Sequence, residues 1–396
     1  MDISTEYPTA LNYTESMSWS NTTLYYTDSP SDYNNDLTII SKEVADLMKS
    51  IIDCYIIPPI VLIGLIGNIL SLIILSGRRM RCYTTNIILA YLALVDALFL
   101  TTMFLRKMPC LVAKFDAVTA KIIDLIMITQ PLILEYIFGR LSCLLSLVIC
   151  CERFIAVFYP MKVKIWVTPK RICLVLALVT LVVVGYLAVG FTLASNIWYY
   201  DDQYNRTMPR YTLQPIYLNN RQFFDAYNFM ARPIIFRLLP VSLVLILYVA
   251  IILQMRRRTK WLNDVTSSTD NSNNETELRS LTKMLMTIVS IFIMCVLPSA
   301  INFLFVLTDD QYRYSGQFRN AYRAFTSLGT VGDVINSSAN FFVYVALNKK
   351  FLAILSGMFC CQRKKLTKKL DMFNSNLTIT SKVSKSISSG LDQDPV

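Results

Sequence analysis

In a 396-residue chain that contains no histidine, the side chains best placed to do chemistry are carboxylates and arginines set inside apolar runs. Glu152 and Arg153 stand side by side at the close of a run that begins near Leu125. Asp96 ends the stretch Leu92-Ala93-Leu94-Val95-Asp96, and Glu135, Arg140, Arg232, Arg237 and Asp333 fall in further apolar stretches. A charge in such a place is costly unless water, a partner or a function holds it. For Glu152-Arg153 alone the plain reading is an interfacial anchor, in which Arg153 reaches out to the headgroups and Glu152 neutralises it. The absence of histidine removes His-based acid-base catalysis, Ser-His-Asp and Cys-His nucleophiles, and imidazole metal sites. No P-loop or dinucleotide-binding glycine pattern is present. The ten cysteines show no CxxC spacing, so neither a zinc site nor a dithiol redox site is indicated. No enzymatic site is expected.

The elements that would carry these residues are membrane helices. With 54% apolar residues, 16% charged and a mean hydropathy of +0.45, too little polar surface exists to cover a soluble domain of this size. Seven apolar stretches, at about 52–77, 84–107, 125–158, 172–195, 232–255, 281–307 and 321–347, approach the ~20 residues that cross ~30 Å of hydrocarbon. Arg78, Arg79 and Arg81 follow the first; Lys162, Lys164, Lys170 and Arg171 the third; Arg256, Arg257, Arg258 and Lys260 the fifth; Lys349, Lys350, Arg363, Lys364 and Lys365 the seventh. The net charge of +11 thus marks the cytoplasmic side, and calls for no nucleic acid. The amino terminus is then outside and the carboxyl terminus in the cytoplasm. The expected organisation is a disordered outer arm over 1–51, a bundle over 52–347, a short amphipathic helix over 348–361 and a disordered tail over 362–396. The arm has no signal-peptide pattern, and carries eight acids against Lys42 and Lys49. Asn12 and Asn21, with Asn205 further on, open glycosylation acceptors. No internal repeat is found, which counts against transporters built from duplicated halves. An adhesion role would need a folded ectodomain, which the polar arm cannot supply.

Polar residues recur deep in these stretches in a fixed order: Gly67-Asn68; Asp96; Glu152-Arg153; Pro240 and Tyr248; Phe292, Cys295 and Pro298; then Asn336-Ser337-Ser338-Ala339-Asn340-Phe341-Phe342-Val343-Tyr344. Any one of them would suit a kink or a packing polar. As a set, over about 52–361, they resemble the rhodopsin-like (class A) G-protein-coupled receptors. The resemblance implies an all-α seven-helix bundle in the plasma membrane with a short cytoplasmic eighth helix, and coupling to a heterotrimeric G protein. It implies that Arg153 is held by Glu152 at rest and released when the sixth helix swings about Pro298, a two-state element biased by ligand. Met161, Tyr248 and Tyr344 complete the coupling set. Asp96 would meet Ser142, Asn336, Ser337 and Asn340, the set that cages a sodium ion in the family; oxygen ligands suit a hard cation.

Departures are equally plain. The region matching the third-helix cysteine reads Ile126-Met127-Ile128-Thr129, and 196–231 contains no cysteine. Leu178 stands near the fourth-helix tryptophan, Val296 at the aromatic toggle, Cys143 at the third-helix isoleucine and Phe341 at the seventh-helix proline. Leu278, beside Glu277, replaces the sixth-helix acid, so measurable basal activity is expected. A phenylalanine at the last-but-one of those places is shared with some invertebrate FMRFamide-type peptide receptors, and no lysine is present for an opsin's Schiff base. A different disulfide is open to this chain: Cys54 lies 14 residues before Asn68 and Cys110 lies 14 after Asp96, so both sit ~21 Å beyond one polar layer on adjacent helices. Glu135, 18 residues before Arg153, sits ~27 Å toward the outside. Glu135, Arg140, Arg232, Arg237 and Asp333 there form either internal pairs, such as Glu135 with a fifth-helix arginine, or contacts to ligand. The charge, with Tyr199, Tyr200, Tyr204, Tyr211 and Tyr217 in the outer loop, suits a short neuropeptide with a basic and an aromatic residue, amidated in the FMRFamide manner. An amine or other small-molecule receptor of the same fold is the alternative, with a transporter behind it. Cys360 and Cys361 are palmitoylation candidates, or else free thiols in a reducing compartment, and the tail serines could dock an arrestin.

Overall fold

The computed structural model describes residues 40–77, 80, 83–202, 204–265, 273–309, 311–312 and 316–358; for residue 164 and for 258–265 and 273–281 it gives backbone only. Six helices are long and apolar enough to cross a membrane: Lys42–Leu75, Thr84–Val112, Gln130–Phe158, Pro169–Thr192, Arg221–Arg257 and Thr282–Thr308, here the first to sixth spans. The seventh, Arg319–Leu347, is of similar length but more polar; it bends by 96° into the short helix Lys349–Met358. The outside of the bundle is apolar, with Ile66, Leu181 and Met294 each more than 60% exposed. Such a belt is stable only against hydrocarbon.

The third span sits at the centre, packed against the second, fourth, fifth and sixth. Leu141, Leu145 and Ile149 on one face meet Ile88, Leu89 and Leu92 of the second span. Cys143 and Cys150 on another meet Val241 and Val244 of the fifth and Phe292 of the sixth. The first span is tied to the seventh by Asn68, whose amide donates to the Gly64 and Ser337 carbonyls at 3.0 and 2.8 Å. Gly67 explains why a phenylalanine is accommodated at 341: a Cβ there would lie 2.8 Å from that of Phe341. The sixth and seventh spans touch just as closely, since a Cβ on Gly332 would lie 2.2 Å from the Cys295 carbonyl oxygen.

Several boundaries differ from the sequence reading, among them the start of the fifth span, which lies at Arg221 and not near 232. The first helix starts at Lys42, capped by Ser41, whose hydroxyl accepts from the Val44 amide at 3.3 Å. It continues through a π turn, Ile52–Ile56, so 42–51 belong to the bundle and not to a disordered arm. Pro58 and Pro59 follow that turn and lack the N–H groups that regular α bonding would use. The third stretch divides into a separate helix, Ala117–Met127, and Gln130–Phe158, which opens on Pro131. The bundle is also not wholly helical. Residues Ala194–Asp201 (β1) and Arg206–Leu213 (β2) form an antiparallel hairpin, paired from Ala194 with Leu213 to Asp201 with Arg206. Asn205 turns the chain at φ 47°, a left-handed conformation that asparagine tolerates better than most.

Candidate functional site

At one end of the third span, Arg153 grips Glu152 through two bonds: Nε donates to Oε2 at 2.5 Å, and Nη2 donates to Oε1. Thr85 of the second span closes the cluster, its hydroxyl donating to Glu152 Oε1 at 3.0 Å and accepting from Arg153 Nη2 at 2.7 Å. Both charged residues are about 5% exposed, so neither reaches headgroups as an anchor would. Met161, three residues beyond the helix end, is 87% exposed. Tyr248 bonds Ser290 of the sixth span at 2.7 Å. Tyr344 is buried, with its ring 5.5 Å from that of Phe351 in the short helix after the bend. Glu277 and Leu278 have no described side chains, and Cys360 and Cys361 lie outside the described residues, as do Asn12 and Asn21.

In mid-bundle, Asp96 is fully buried and accepts from Ser142 Oγ at 2.6 Å and Asn340 Nδ2 at 2.8 Å. Ser337 adds a third side-chain bond. Asn336 joins Ser142 and Ser337 in lining a small void of about 20 Å³. That space is also lined by Arg237 and Asp333, while Asp96 and Asn340 are not part of its lining, so of the five oxygen-bearing residues named for a cation only Ser142, Asn336 and Ser337 border it.

Toward the other end lies a cavity of about 110 Å³, whose charged lining is Glu135, Arg140, Arg232, Arg237 and Asp333. All five ligand candidates therefore share one space. Two π turns, Tyr227–Ala231 and Ile234–Leu238, flank Pro233 in the fifth span; each rotates the side chains that follow relative to a regular helix. Arg237 Nη1 and Nη2 donate to the two oxygens of Asp333 at 3.0 and 2.9 Å. Arg232 lies over the Tyr136 ring at 4.4 Å. Arg140 Nη1 is buried without a hydrogen-bond partner among the described residues. A second void of about 40 Å³ adjoins through the shared Tyr136, Asn228, Phe229 and Arg232, and reaches Tyr211 and Tyr217.

A family model described as "Serpentine type 7TM GPCR chemoreceptor Srw" matches residues 55–362. The chain belongs to the Srw family. It is similar to a probable G-protein coupled receptor of Caenorhabditis elegans, B0563.6, at 25% identity over 81% of this chain and 72% of the relative. It is similar to a second putative G-protein coupled receptor of that organism, F59B2.13, at 26% identity over 67% and 68%. The FMRFamide peptide receptor frpr-18 of the same organism matches at 29% identity, but over only 28% of this chain and 26% of its own length. The FMRFamide likeness is thus confined to a short segment, whereas the receptor family covers the bundle. The chain is a multi-pass membrane receptor of a family that couples extracellular ligands to G proteins, and it is not an enzyme.

In this Srw receptor the partner of Glu135 is not a fifth-span arginine. Arg106 of the second span donates to it from both Nε and Nη2, the latter at 3.1 Å. The neighbouring Lys107 pairs with Asp53 of the first span at 2.7 Å. Cys54 and Cys110, one residue and three residues from that pair, are disulfide-bonded with Cα atoms 5.3 Å apart. The sequence reading used Cys54 and Cys110 but passed over Asp53, Arg106 and Lys107. Their signal was available as three charges set inside or at the edge of apolar runs, close to Cys54 and Cys110 in sequence. With no cysteine in β1 or β2, the hairpin is held by polar contacts: Arg206 to Asp116 at 3.2 Å, Lys121 to the Tyr204 hydroxyl at 3.2 Å, and Asn196 to Thr129 at 3.1 Å. Asp116 also caps the helix Ala117–Met127, accepting from the Val118 and Thr119 amides. Bonds from Thr119, then from Arg206 and Val118, hold its carboxyl down at about 2. The Asn205 side chain accepts from the Tyr200 hydroxyl.

Proposed function

We propose that this chain is a plasma-membrane receptor, amino terminus outside and carboxyl terminus in the cytoplasm, that takes a peptide in the cavity around Arg140 and activates a heterotrimeric G protein through Arg153. The observation that carries the reading is that one central helix bears both ends. Arg140 and Arg153 are 13 residues apart on it, ~20 Å along the axis, with Asp96 and its partners between. Orientation rests on Lys162, Lys170 and Arg171, and on Arg256, Arg257, Lys349 and Lys350, which gather at the Arg153 end. Met161 is the exposed apolar group there for a G protein to cover, with arrestin docking on the serine-bearing tail. Ser142, Asn336, Ser337, Asn340 and Asp96 would hold a sodium ion, which would supply a counter-charge to Asp96. A lipid anchor on Cys360 and Cys361 would keep the short helix at the bilayer.

The peptide class is supported by the adjoining second void, lined by Tyr211 and Tyr217, which gives an aromatic side chain room beside a charged group. A small-molecule ligand is the second reading. It is favoured by the modest 110 Å³ of the main cavity and by the chemoreceptor description of the family. A peptide-library screen on cells carrying the receptor and promiscuous G proteins separates the two. Activation by peptides supports the first reading, and activation by small acids or amines alone replaces it with the second.

A further inference from the structure

The charges around the main cavity do not cancel. Three arginines and two carboxylates line it, and one of those carboxylates, Glu135, is already held by Arg106 from outside the lining. The other, Asp333, is held through both oxygens by Arg237. Removing these two neutral pairs leaves Arg140 and Arg232. Arg140 has a buried nitrogen with no partner among the described residues, and Arg232 makes its described contact with an aromatic face rather than with an acid. Both residues are half-buried, and cations withdrawn in part from water without a counter-charge become more favourable when an anion enters beside them. Of the two readings left open by the sequence, internal pairs or contacts to ligand, Glu135 and Asp333 follow the first, because both acids are engaged within the protein.

We propose that the cavity binds its ligand through a carboxylate seated between Arg140 and Arg232, with the adjacent aromatic part of the ligand lodged beside Tyr136, Tyr211 and Tyr217. Resting on the reading that this cavity is the ligand site, it specifies the ligand's chemistry. A planar guanidinium presents paired N–H groups that match the two oxygens of a carboxylate. Arg232 lines both voids and stacks on Tyr136, so an anion at the arginines and a ring in the second void fall within one short ligand. The carboxylate can come from the free carboxyl terminus of a peptide or from a small aryl-alkyl acid. A carboxy-terminal amide lacks the charge and is disfavoured.

The test uses the full-length receptor in lipid nanodiscs and thermal unfolding as the readout. Hydrocinnamate is compared with hydrocinnamide, and N-acetyl-phenylalanine with its amide. The acids should raise the midpoint at concentrations where the matching amides have no effect, corresponding to at least a tenfold preference. Arg140→Gln should abolish that preference while leaving the ligand-free midpoint unchanged or higher, since it removes an uncompensated charge; Arg140→Lys should retain part of it. A response to N-acetyl-phenylalanine alone assigns the carboxylate to a peptide terminus, and a response to hydrocinnamate as well admits small acids. Equal responses to acids and amides, or an undiminished preference in Arg140→Gln, overturn the proposal. Nucleotide exchange measured on the same nanodiscs keeps the two readings apart. An acid preference lost in Arg140→Gln upholds the anion site even without exchange, and exchange with no acid preference removes the anion site while leaving the receptor reading in place.

Discussion

Replacing Glu152 with glutamine should raise signalling in the absence of ligand. In the resting arrangement Glu152 accepts two bonds from Arg153 and one from Thr85, all in a buried cluster. Glutamine keeps the shape and some hydrogen bonding but loses the charge, and hydrogen bonds to charged groups contribute about 1.5–3 kcal/mol against about 1 for neutral ones. If the active state lacks the cluster, as release of Arg153 requires, that loss falls on the resting state alone. The difference, a shift of about 0.5–2 kcal/mol, changes the resting-to-active ratio by roughly 2- to 30-fold. Thr85→Val, which removes only the bridging hydroxyl, should shift it by about 1 kcal/mol, or roughly fivefold. The assay is ligand-free nucleotide exchange on a heterotrimeric G protein with the receptor in nanodiscs, normalised to folded receptor. Exchange by Glu152→Gln at or below the wild-type rate, from receptor with an unchanged unfolding midpoint, would refute the idea that this cluster holds the resting state.

Glu135→Gln leaves Arg106 buried without its acid and should cost about 3–5 kcal/mol; the double change with Arg106→Met should recover much of it, read as unfolding midpoints of both variants. Non-reducing peptide mapping should recover Cys54 joined to Cys110, and Cys54→Ser should destabilise by about 2–4 kcal/mol through the lost cross-link; two free thiols in the map contradict it. Gly332→Ala forces a methyl against the Cys295 carbonyl and should cost about 1–3 kcal/mol, visible as a lower midpoint with normal synthesis. Asp116, with its carboxyl held at about 2, stabilises the hairpin fully above its ordinary value near 4 and loses that contribution only as pH falls through about 2. Hydrogen exchange in 194–213 should therefore be insensitive to its titration between pH 5 and 8, and faster in Asp116→Asn.

The bundle was legible because membrane spans announce themselves by apolar length, and Asn68, Asp96 and Arg153 fix their relative heights. The sequence reading reached Ser142 and Asn340 beside Asp96 through family resemblance, which spacing on one helix cannot supply. What it missed follows from two physical causes. The ends of spans are set by local capping and π turns, so Ser41 and the Pro58-Pro59 pair carried Lys42–Ile51 into the first helix where polarity suggested an arm. Pairing between spans depends on rotation about each helix axis. The charge of Glu135 was therefore visible in one dimension, but its choice of Arg106 over Arg232 or Arg237 was not. The hairpin was hidden for a similar reason: β1 and β2 lie among aromatic and polar residues without clean alternation, and only Asn205 marked the turn.

The central claim, that an event in the Arg140 cavity reaches a G protein through Arg153, is tested most directly by Arg153→Ala and Met161→Ala in cells carrying promiscuous G proteins, stimulated by an agonist from the peptide screen. Both variants should bind that agonist and reach the cell surface as the parent does while agonist-driven nucleotide exchange falls sharply. Exchange that persists unchanged in both would contradict the account.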